Sequence, residues 1–230
     1  MRYLFTLFIL VSSLAYAQVD SSMFPQNVET LDEAGQKQGT WIEYFENGAI
    51  KSVTEYVNDV KDGVHLVFSK KGMMRSQELY RGGELDGYQR YYSNLGNLER
   101  ELYYSHGVKN GEEREYYDNG QRLKSKTTWR NGIKDGPSMW YYPEGVVSVV
   151  FPYRQGVVEG TTEYFYLSGA RKIHTEYVDG ERHGYHYEWH ENGNQKAVGE
   201  YEHGDQVGLW RYYNEEGVEI RTHQFKEKEE

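Results

Sequence analysis

The sequence predicts an all-β protein, an elongated meander of about eight tandem 24-residue β-hairpin repeats. Glycines recur with a period of 24 residues, aromatic residues recur at fixed offsets from them, and no window shows helical periodicity. One step of 25 residues falls between Gly111 and Gly136. The glycines that open the repeats, here called the opening glycines, are Gly39, Gly63, Gly87, Gly111, Gly136, Gly160, Gly184 and Gly208. Two strands per repeat give roughly sixteen strands.

Two columns of aromatic residues follow this period. The column five positions after the opening glycines, here called the repeat aromatics, consists of Tyr44, Phe68, Tyr92, Tyr116, Tyr141, Phe165, Trp189 and Tyr213. A lone hairpin is marginal in water, so we expect these rings to pack between neighbouring repeats. The second column stands seven positions before the next repeat and consists of Tyr56, Tyr80, Tyr104, Trp129, Tyr153, Tyr177, Tyr201 and, by spacing, Phe225.

Further glycines predict a turn at each end of a hairpin. Asn-Gly pairs at 47–48, 119–120 and 192–193 predict tight turns, because both residues tolerate positive φ. A glycine also stands four positions before most opening glycines, and Asp59 replaces it once. Because aspartate enters left-handed conformations more readily than most residues, we expect the turn to persist there.

The N-terminus has the pattern of a secretory signal peptide. Arg2 precedes an apolar run from Leu4 to Val11, and Ala15-Tyr16-Ala17 precedes Gln18. We therefore expect cleavage between Ala17 and Gln18 and an exported mature chain, whether periplasmic, surface-located or secreted. A membrane anchor is the alternative, but the apolar run is shorter than the ~20 residues that span a bilayer.

The rest of the chain divides without a linker. Residues 1–17 form the predicted signal peptide and 18–34 an irregular leader, in which Val28 to Leu31 could form a capping strand. Residues 35–225 form the repeat array, and 226–230 a charged tail.

Composition excludes several classes of partner and site. The net charge of −10 becomes −11 when Arg2 is removed, which argues against nucleic acid and anionic membrane surfaces as partners. The absence of cysteine excludes disulfides and thiolate metal sites. We expect no integral membrane segment in the mature chain.

The chain also lacks the common catalytic motifs. It has no G-x-S-x-G, no H-E-x-x-H and no phosphate-binding G-x-x-x-x-G-K-[ST], which predicts a protein that is not an enzyme and needs no cofactor. Strand alternation places His186, Glu188 and His190 on one face, where they could hold a divalent metal. A solvated polar face is the interpretation we favour.

Seven aromatic residues outside the two columns are candidates for contact with a partner. Tyrosine and tryptophan provide large contact areas at low entropic cost. The candidates are Trp41, Tyr91, Tyr117, Trp140, Tyr164, Tyr166 and Trp210. Simple coverage of the second sheet face is the alternative role.

Individual repeats resemble the variant MORN repeat (membrane occupation and recognition nexus). The resemblance is carried by G-x-W-x-x-Y-x-x-x-G from Gly208, by N-G-x-x-K at 47–51 and by Y-x-x-G-x-x-x-G, and it covers residues 35–225. It implies an elongated row of hairpins with a role in scaffolding or protein binding, and phospholipid binding in some relatives. Bacterial proteins of this type are grouped as antitoxins of toxin–antitoxin systems. Choline-binding repeats are shorter aromatic hairpins and would imply cell-wall ligands.

The sequence thus predicts an exported, non-enzymatic repeat protein that binds a protein or peptide. Two alternatives stay open. One is a cell-wall or surface-glycan binder with stacked aromatics, and the other is an antitoxin-like or immunity-like protein that neutralises a toxin.

Overall fold

The computed structural model describes residues 28–117 and 120–226, which form nineteen strands and no helix. The predicted signal peptide and its cleavage position lie outside the described residues. The strands are β1 (Thr30–Leu31), β2 (Lys37–Tyr44), β3 (Ile50–Val57), β4 (Val60–Phe68), β5 (Met74–Arg81), β6 (Glu84–Leu85), β7 (Gly87–Tyr92), β8 (Leu98–Ser105), β9 (Val108–Tyr116), β10 (Leu123–Arg130), β11 (Ile133–Tyr141), β12 (Val147–Arg154), β13 (Val157–Val158), β14 (Gly160–Phe165), β15 (Arg171–Val178), β16 (Glu181–Trp189), β17 (Gln195–Glu202), β18 (Asp205–Tyr213) and β19 (Glu219–Phe225).

The strands form one open antiparallel sheet of successive hairpins, which confirms the predicted elongated meander. Sixteen of them are the two strands of each repeat. The short strands β6 and β13 lie just before Gly87 and Gly160 and continue the lines of β7 and β14. Strand β5 pairs with both β6 and β7, and β12 pairs with both β13 and β14. Strand β1 pairs with β2 and caps the first repeat, within the stretch where a capping strand was predicted. No helix in the described ranges is long and apolar enough to cross a membrane.

Gly184 shows why a glycine opens the repeat. Gly184 pairs with Tyr201 of the second aromatic column and has φ of +98°. A Cβ atom there would lie 2.1 Å from Glu176 Oε2, and this oxygen accepts a 2.9 Å hydrogen bond from the Tyr185 amide. Gly63 has the same relation to Glu55. The positive φ therefore favours glycine, and the carboxylate occupies the space that a side chain would need.

The turns between repeats place two consecutive residues in the left-handed region. Asn131 and Gly132, for example, have φ of +50° and +80°. Asn58 and Asp59 have φ of +51° and +65°, which confirms that aspartate keeps this turn. Such turns match the right-handed twist of the strands that they join.

The turns within repeats lie at the predicted Asn-Gly pairs and use positive φ at one residue of each pair. Gly48 and Gly193 have positive φ, but Asn47 and Asn192 do not. Instead, the Asn192 carboxamide oxygen accepts a hydrogen bond from the amide of Asn194, two residues on. Asparagine serves here through its side chain and glycine through its backbone. Residue 119 lies outside the described ranges.

The two faces of the sheet differ in exposure. The buried face carries the residues two and four positions after the opening glycines, and the open face carries those one, three and five positions after. Across the buried face runs a line of paired residues with little or no exposure. It includes Thr54, Gln89, Leu102, Glu113, Thr127, Ser138, Thr162, Thr175, His186 and Trp210. The open face has one buried apolar cluster, formed by Ile42, Val53, Leu66 and Phe68 near the N-terminal end.

Candidate functional site

The open face presents large aromatic side chains to solvent. Tyr44 is 53% exposed, Tyr88 is 47% exposed and Tyr185 is 49% exposed. Nothing in the described residues forms a second layer over this face, because all nineteen strands belong to the same sheet. Exposed rings on an uncovered sheet are a common property of interaction surfaces.

The repeat aromatics lie on the open face. Phe68 is buried, Tyr44 is exposed, and the other six are half-buried. Packing between repeats stays a prediction for this column, in which Tyr44 is the most exposed residue.

The seventh repeat concentrates aromatic side chains along strand β16. The rings of Tyr185 and Tyr187 have centroids 6.0 Å apart, and those of Tyr187 and Trp189 are stacked at 5.7 Å with 19° between their planes. The His174 ring meets Tyr187 edge-on at 5.7 Å. We call Tyr185, Tyr187 and Trp189 the aromatic ridge.

The charges around the aromatic ridge are unequal at its two ends. Glu200 lies directly opposite Tyr185 on β17, and the Glu176 carboxylate binds the Tyr185 amide from the β15 side. The negative charge of Glu200, followed by a hydrogen bond to it, raises the pKa of Tyr185. At the other end, the Arg171 guanidinium lies 5.6 Å from the Trp189 ring centroid, and its Nη2 lies 3.1 Å from Glu163 Oε1. The ridge thus has carboxylates at Tyr185 and a guanidinium paired with Glu163 at Trp189.

Five of the seven predicted contact residues lie on the buried face. They are Trp41, Tyr91, Trp140, Tyr164 and Trp210. The first four are half-buried. Burial is the main cause of the raised pKa of both Tyr91 and Tyr164. Partner contact by these four stays a prediction.

Trp210 does not fit a contact role. It is only 2% exposed, and its indole Nε1 donates a 3.2 Å hydrogen bond to the Glu200 carbonyl oxygen. Its ring lies 5.3 Å from that of His186 and 5.2 Å from that of Tyr201. The prediction that Trp210 contacts a partner is therefore wrong, because its ring is used to pack the C-terminal repeats.

Tyr117 and Tyr166 belong to hydrogen bonds that connect neighbouring repeats. The side chain six positions after an opening glycine bonds to a backbone carbonyl oxygen of the next repeat. The pairs are Tyr117 with Tyr141, Tyr142 with Phe165, Tyr166 with Trp189, and His190 with Tyr213. Spacing alone could have indicated this set, because these four residues share one position in the repeat. Partner contact by Tyr117 and Tyr166 stays a prediction beside this role.

The candidate metal ligands are not brought to one point. His186 Nε2 lies 3.3 Å from Glu188 Oε1, but His190 Nε2 lies 3.0 Å from the Tyr213 carbonyl oxygen. No group of three His, Asp or Glu side chains in the described ranges is placed to hold a metal ion. The His186 hydrogen bond is the main cause that lowers the pKa of Glu188 to about 2.

His186 also bonds to a hydroxyl, which gives a chain of three groups. Thr175 Oγ1 lies 2.8 Å from His186 Nδ1, on the opposite side of the ring from Glu188. This order of hydroxyl, imidazole and carboxylate is that of a nucleophilic triad. Thr175 and His186 are both buried, however, so no substrate can reach the hydroxyl. Thr54 and His65 repeat the same 2.8 Å contact five repeats earlier, which indicates a structural role.

A shallow hollow of about 400 Å³ lies in the middle of the array. It is lined by Tyr91, Glu99, Arg100, Glu115, Tyr116 and Lys124. Arg100 already lies 5.0 Å from the Tyr91 ring centroid and 3.6 Å from Glu113 Oε1. The Arg100 guanidinium in this hollow is therefore already in contact with other groups of the chain.

The family model of the MORN repeat variant matches the chain at residues 37–58 and 109–131. Both matches begin two positions before an opening glycine, Gly39 in the first and Gly111 in the second. The resemblance to this repeat is thus confirmed at two places in the array. The comparison with curated proteins finds no match.

Proposed function

We propose that this chain, a protein with repeats of the MORN variant, is an exported scaffold that binds a protein or peptide through the open face of its sheet. The observation that carries the proposal is the row of exposed rings on a sheet face with nothing packed over it. Repeats of this kind suggest a binding scaffold. Aromatic anchors on a rigid sheet provide contact area without the entropy cost of ordering a loop.

A binding role also accounts for the regular architecture. Contacts run between neighbouring repeats, so the array keeps the exposed rings at fixed separations along one face. The triad-like group of Thr175, His186 and Glu188 has its hydroxyl buried. Ser105 Oγ lies 3.1 Å from His106 Nδ1 at the surface, but in the part of the chain that the structure describes this pair is not part of a hydroxyl–imidazole–carboxylate chain like that of Thr175. We propose that the protein is not an enzyme.

Site-specific photocrosslinking tests the surface. A benzoylphenylalanine is placed in turn at Tyr44, Tyr88 and Tyr185 of the mature chain expressed in its own cell envelope. Leu95, a turn residue that is 79% exposed, is the control position. We expect protein crosslinks from the ring positions and none from Leu95. Equal crosslinking at all four positions would overturn the proposal. So would binding of the protein to saccharides on a glycan array without any protein crosslink.

Export is the second part of the proposal and has its own test. It is supported by Arg2, the apolar run from Leu4 to Val11, and the Ala15-Tyr16-Ala17 sequence. Mass spectrometry of the exported protein should find an N-terminus at Gln18. An intact Met1 on the protein in the envelope fraction would contradict it.

A further inference from the structure

The aromatic ridge differs from the equivalent part of every other repeat in one respect. Tyr185, Tyr187 and Trp189 occupy the positions one, three and five after the opening glycine, and no other repeat has rings at all three. The third repeat comes nearest, with Tyr88, Arg90 and Tyr92 in the same positions. The two repeats therefore allow a direct comparison.

In the third repeat the chain supplies its own cation to the exposed ring. Arg90 Cζ lies 5.6 Å from the Tyr88 ring centroid. Across the sheet, Tyr88 pairs with Tyr103, and the two rings meet edge-on at 5.2 Å. Both neighbours of Tyr88 are thus residues of this chain that already use its ring.

In the seventh repeat the same place has no cation and gains two carboxylates. Tyr187 replaces the arginine, Glu200 replaces Tyr103, and Glu176 stands where the third repeat has Leu79. In the described part of the chain, no lysine or arginine lies over the Tyr185 or Tyr187 ring, whereas Trp189 has Arg171. Among basic side chains, His174 meets the Tyr187 ring edge-on and has its Nε2 4.0 Å from Glu176 Oε1. Tyr185 is nevertheless half exposed.

We propose that Tyr185, Tyr187, Glu176 and Glu200 form a binding site for the guanidinium group of an arginine in an extended segment of the partner. A cation over an exposed aromatic face is attracted by the ring quadrupole. The two carboxylates flank the ring from the neighbouring strands β15 and β17. A planar guanidinium stacks on a ring and bonds to carboxylates at its edge, which an ammonium group does less well.

The position of the arginine on the ridge also follows. Arg171 already lies over the Trp189 ring, and its Nη2 is paired with Glu163 Oε1 at 3.1 Å, so the ring without a cation of this chain is at the other end. The arginine of the partner therefore lies at the Tyr185 end. This inference rests on the proposed function, because it assigns a chemistry to part of the same open face.

The test is a titration of the full mature chain, followed by amide NMR shifts. The probe is the peptide acetyl-Gly-Arg-Gly-amide, and its control is the same peptide with the neutral isostere citrulline. We expect the arginine peptide to shift the amides of residues 185–189 and the citrulline peptide to leave them unchanged. Binding should weaken as salt increases, because the carboxylates are near the surface.

Matched variants locate the site. Tyr185→Leu and Glu200→Gln should each weaken binding of the arginine peptide about two- to five-fold, the range expected for one exposed cation–π or ionic contact. Tyr88→Leu removes a ring of similar exposure at the same repeat position and should not change the affinity. The spectrum of each variant reports whether its fold is intact.

Three results would overturn the inference: no shifts at 185–189, equal shifts with the citrulline peptide, or equal weakening by Tyr88→Leu. If crosslinking at the open face succeeds while the arginine peptide does not bind, this inference fails and the proposed function stands. If the peptide binds as expected but no protein crosslinks, the proposed function fails and the arginine site stands.

Discussion

A single methyl group added at Gly199 should destabilise the C-terminal repeats. Gly199 does not have positive φ, so alanine there meets no backbone strain. Its Cβ would, however, lie 2.2 Å from Cδ2 and Cε2 of the Trp210 ring and 2.5 Å from Cγ. Ordinary contact begins at 3.4 Å, so the ring would have to move by about 1.2 Å.

The Trp210 ring has little freedom to make this movement. It is buried, its Nε1 is bonded to the Glu200 carbonyl oxygen, and the His186 and Tyr201 rings lie on it at 5.3 Å and 5.2 Å. Overpacking of a filled interior costs about 1–3 kcal/mol. Loss of the indole hydrogen bond would add about 1 kcal/mol. We therefore expect Gly199→Ala to lower the free energy of unfolding by about 2–4 kcal/mol.

Gly199→Ala should no longer destabilise the protein when the Trp210 ring is removed. In a Trp210→Leu background the new methyl group has space, and alanine is favoured over glycine in a strand by about 0.5–1 kcal/mol. Gly199→Ala should then be neutral or stabilising. The difference between the two backgrounds measures the coupling of the two positions.

Hydrogen exchange of the amides in β17 and β18 is the appropriate assay, because a repeat array can open locally at one end. Circular dichroism during urea unfolding provides the global value. A neutral Gly199→Ala in the parent chain would refute the reasoning. So would an equal cost in both backgrounds, since the ring would then not be the cause.

Three further predictions use contacts seen elsewhere. Gly180 and Gly204 both have φ of +85°, but only a Cβ at Gly180 would meet another side chain, at 3.0 Å. Gly180→Ala should therefore cost about 1 kcal/mol more than Gly204→Ala in thermal unfolding, and equal costs would contradict this. The lowered pKa of Glu188 predicts stability that is complete above pH 4.5 and is lost as the pH falls toward 2. Glu188→Gln should remove about 1–2 kcal/mol of this acid dependence, and an unchanged pH profile would count against it. Tyr166→Phe removes the 2.8 Å hydrogen bond from the Tyr166 hydroxyl to the Trp189 carbonyl oxygen. Amide hydrogen exchange near Tyr166 and Trp189 should then be about five-fold faster, and unchanged exchange would show that the bond is dispensable.

The period of 24 residues by itself determined the architecture. Opening glycines and aromatic columns at fixed offsets can be read without any structure, and each pair of glycine positions marks the two ends of a hairpin. Even the exception at Asp59 was predictable, because left-handed backbone conformation is a property of single residues. Hairpins with such short turns leave their strands adjacent, so the meander follows from local chemistry.

Which side of the sheet is buried was decided only by the tertiary structure. Alternation separates Tyr185 from His186, but it gives no reason for the histidine to be buried and the tyrosine to face solvent. In a single-layer sheet that choice depends on how neighbouring repeats fill the space beside one another, as Trp210 fills the space over Gly199. Exposure is thus a property of residues that lie far apart in the sequence, and it reversed the expected role of Trp210.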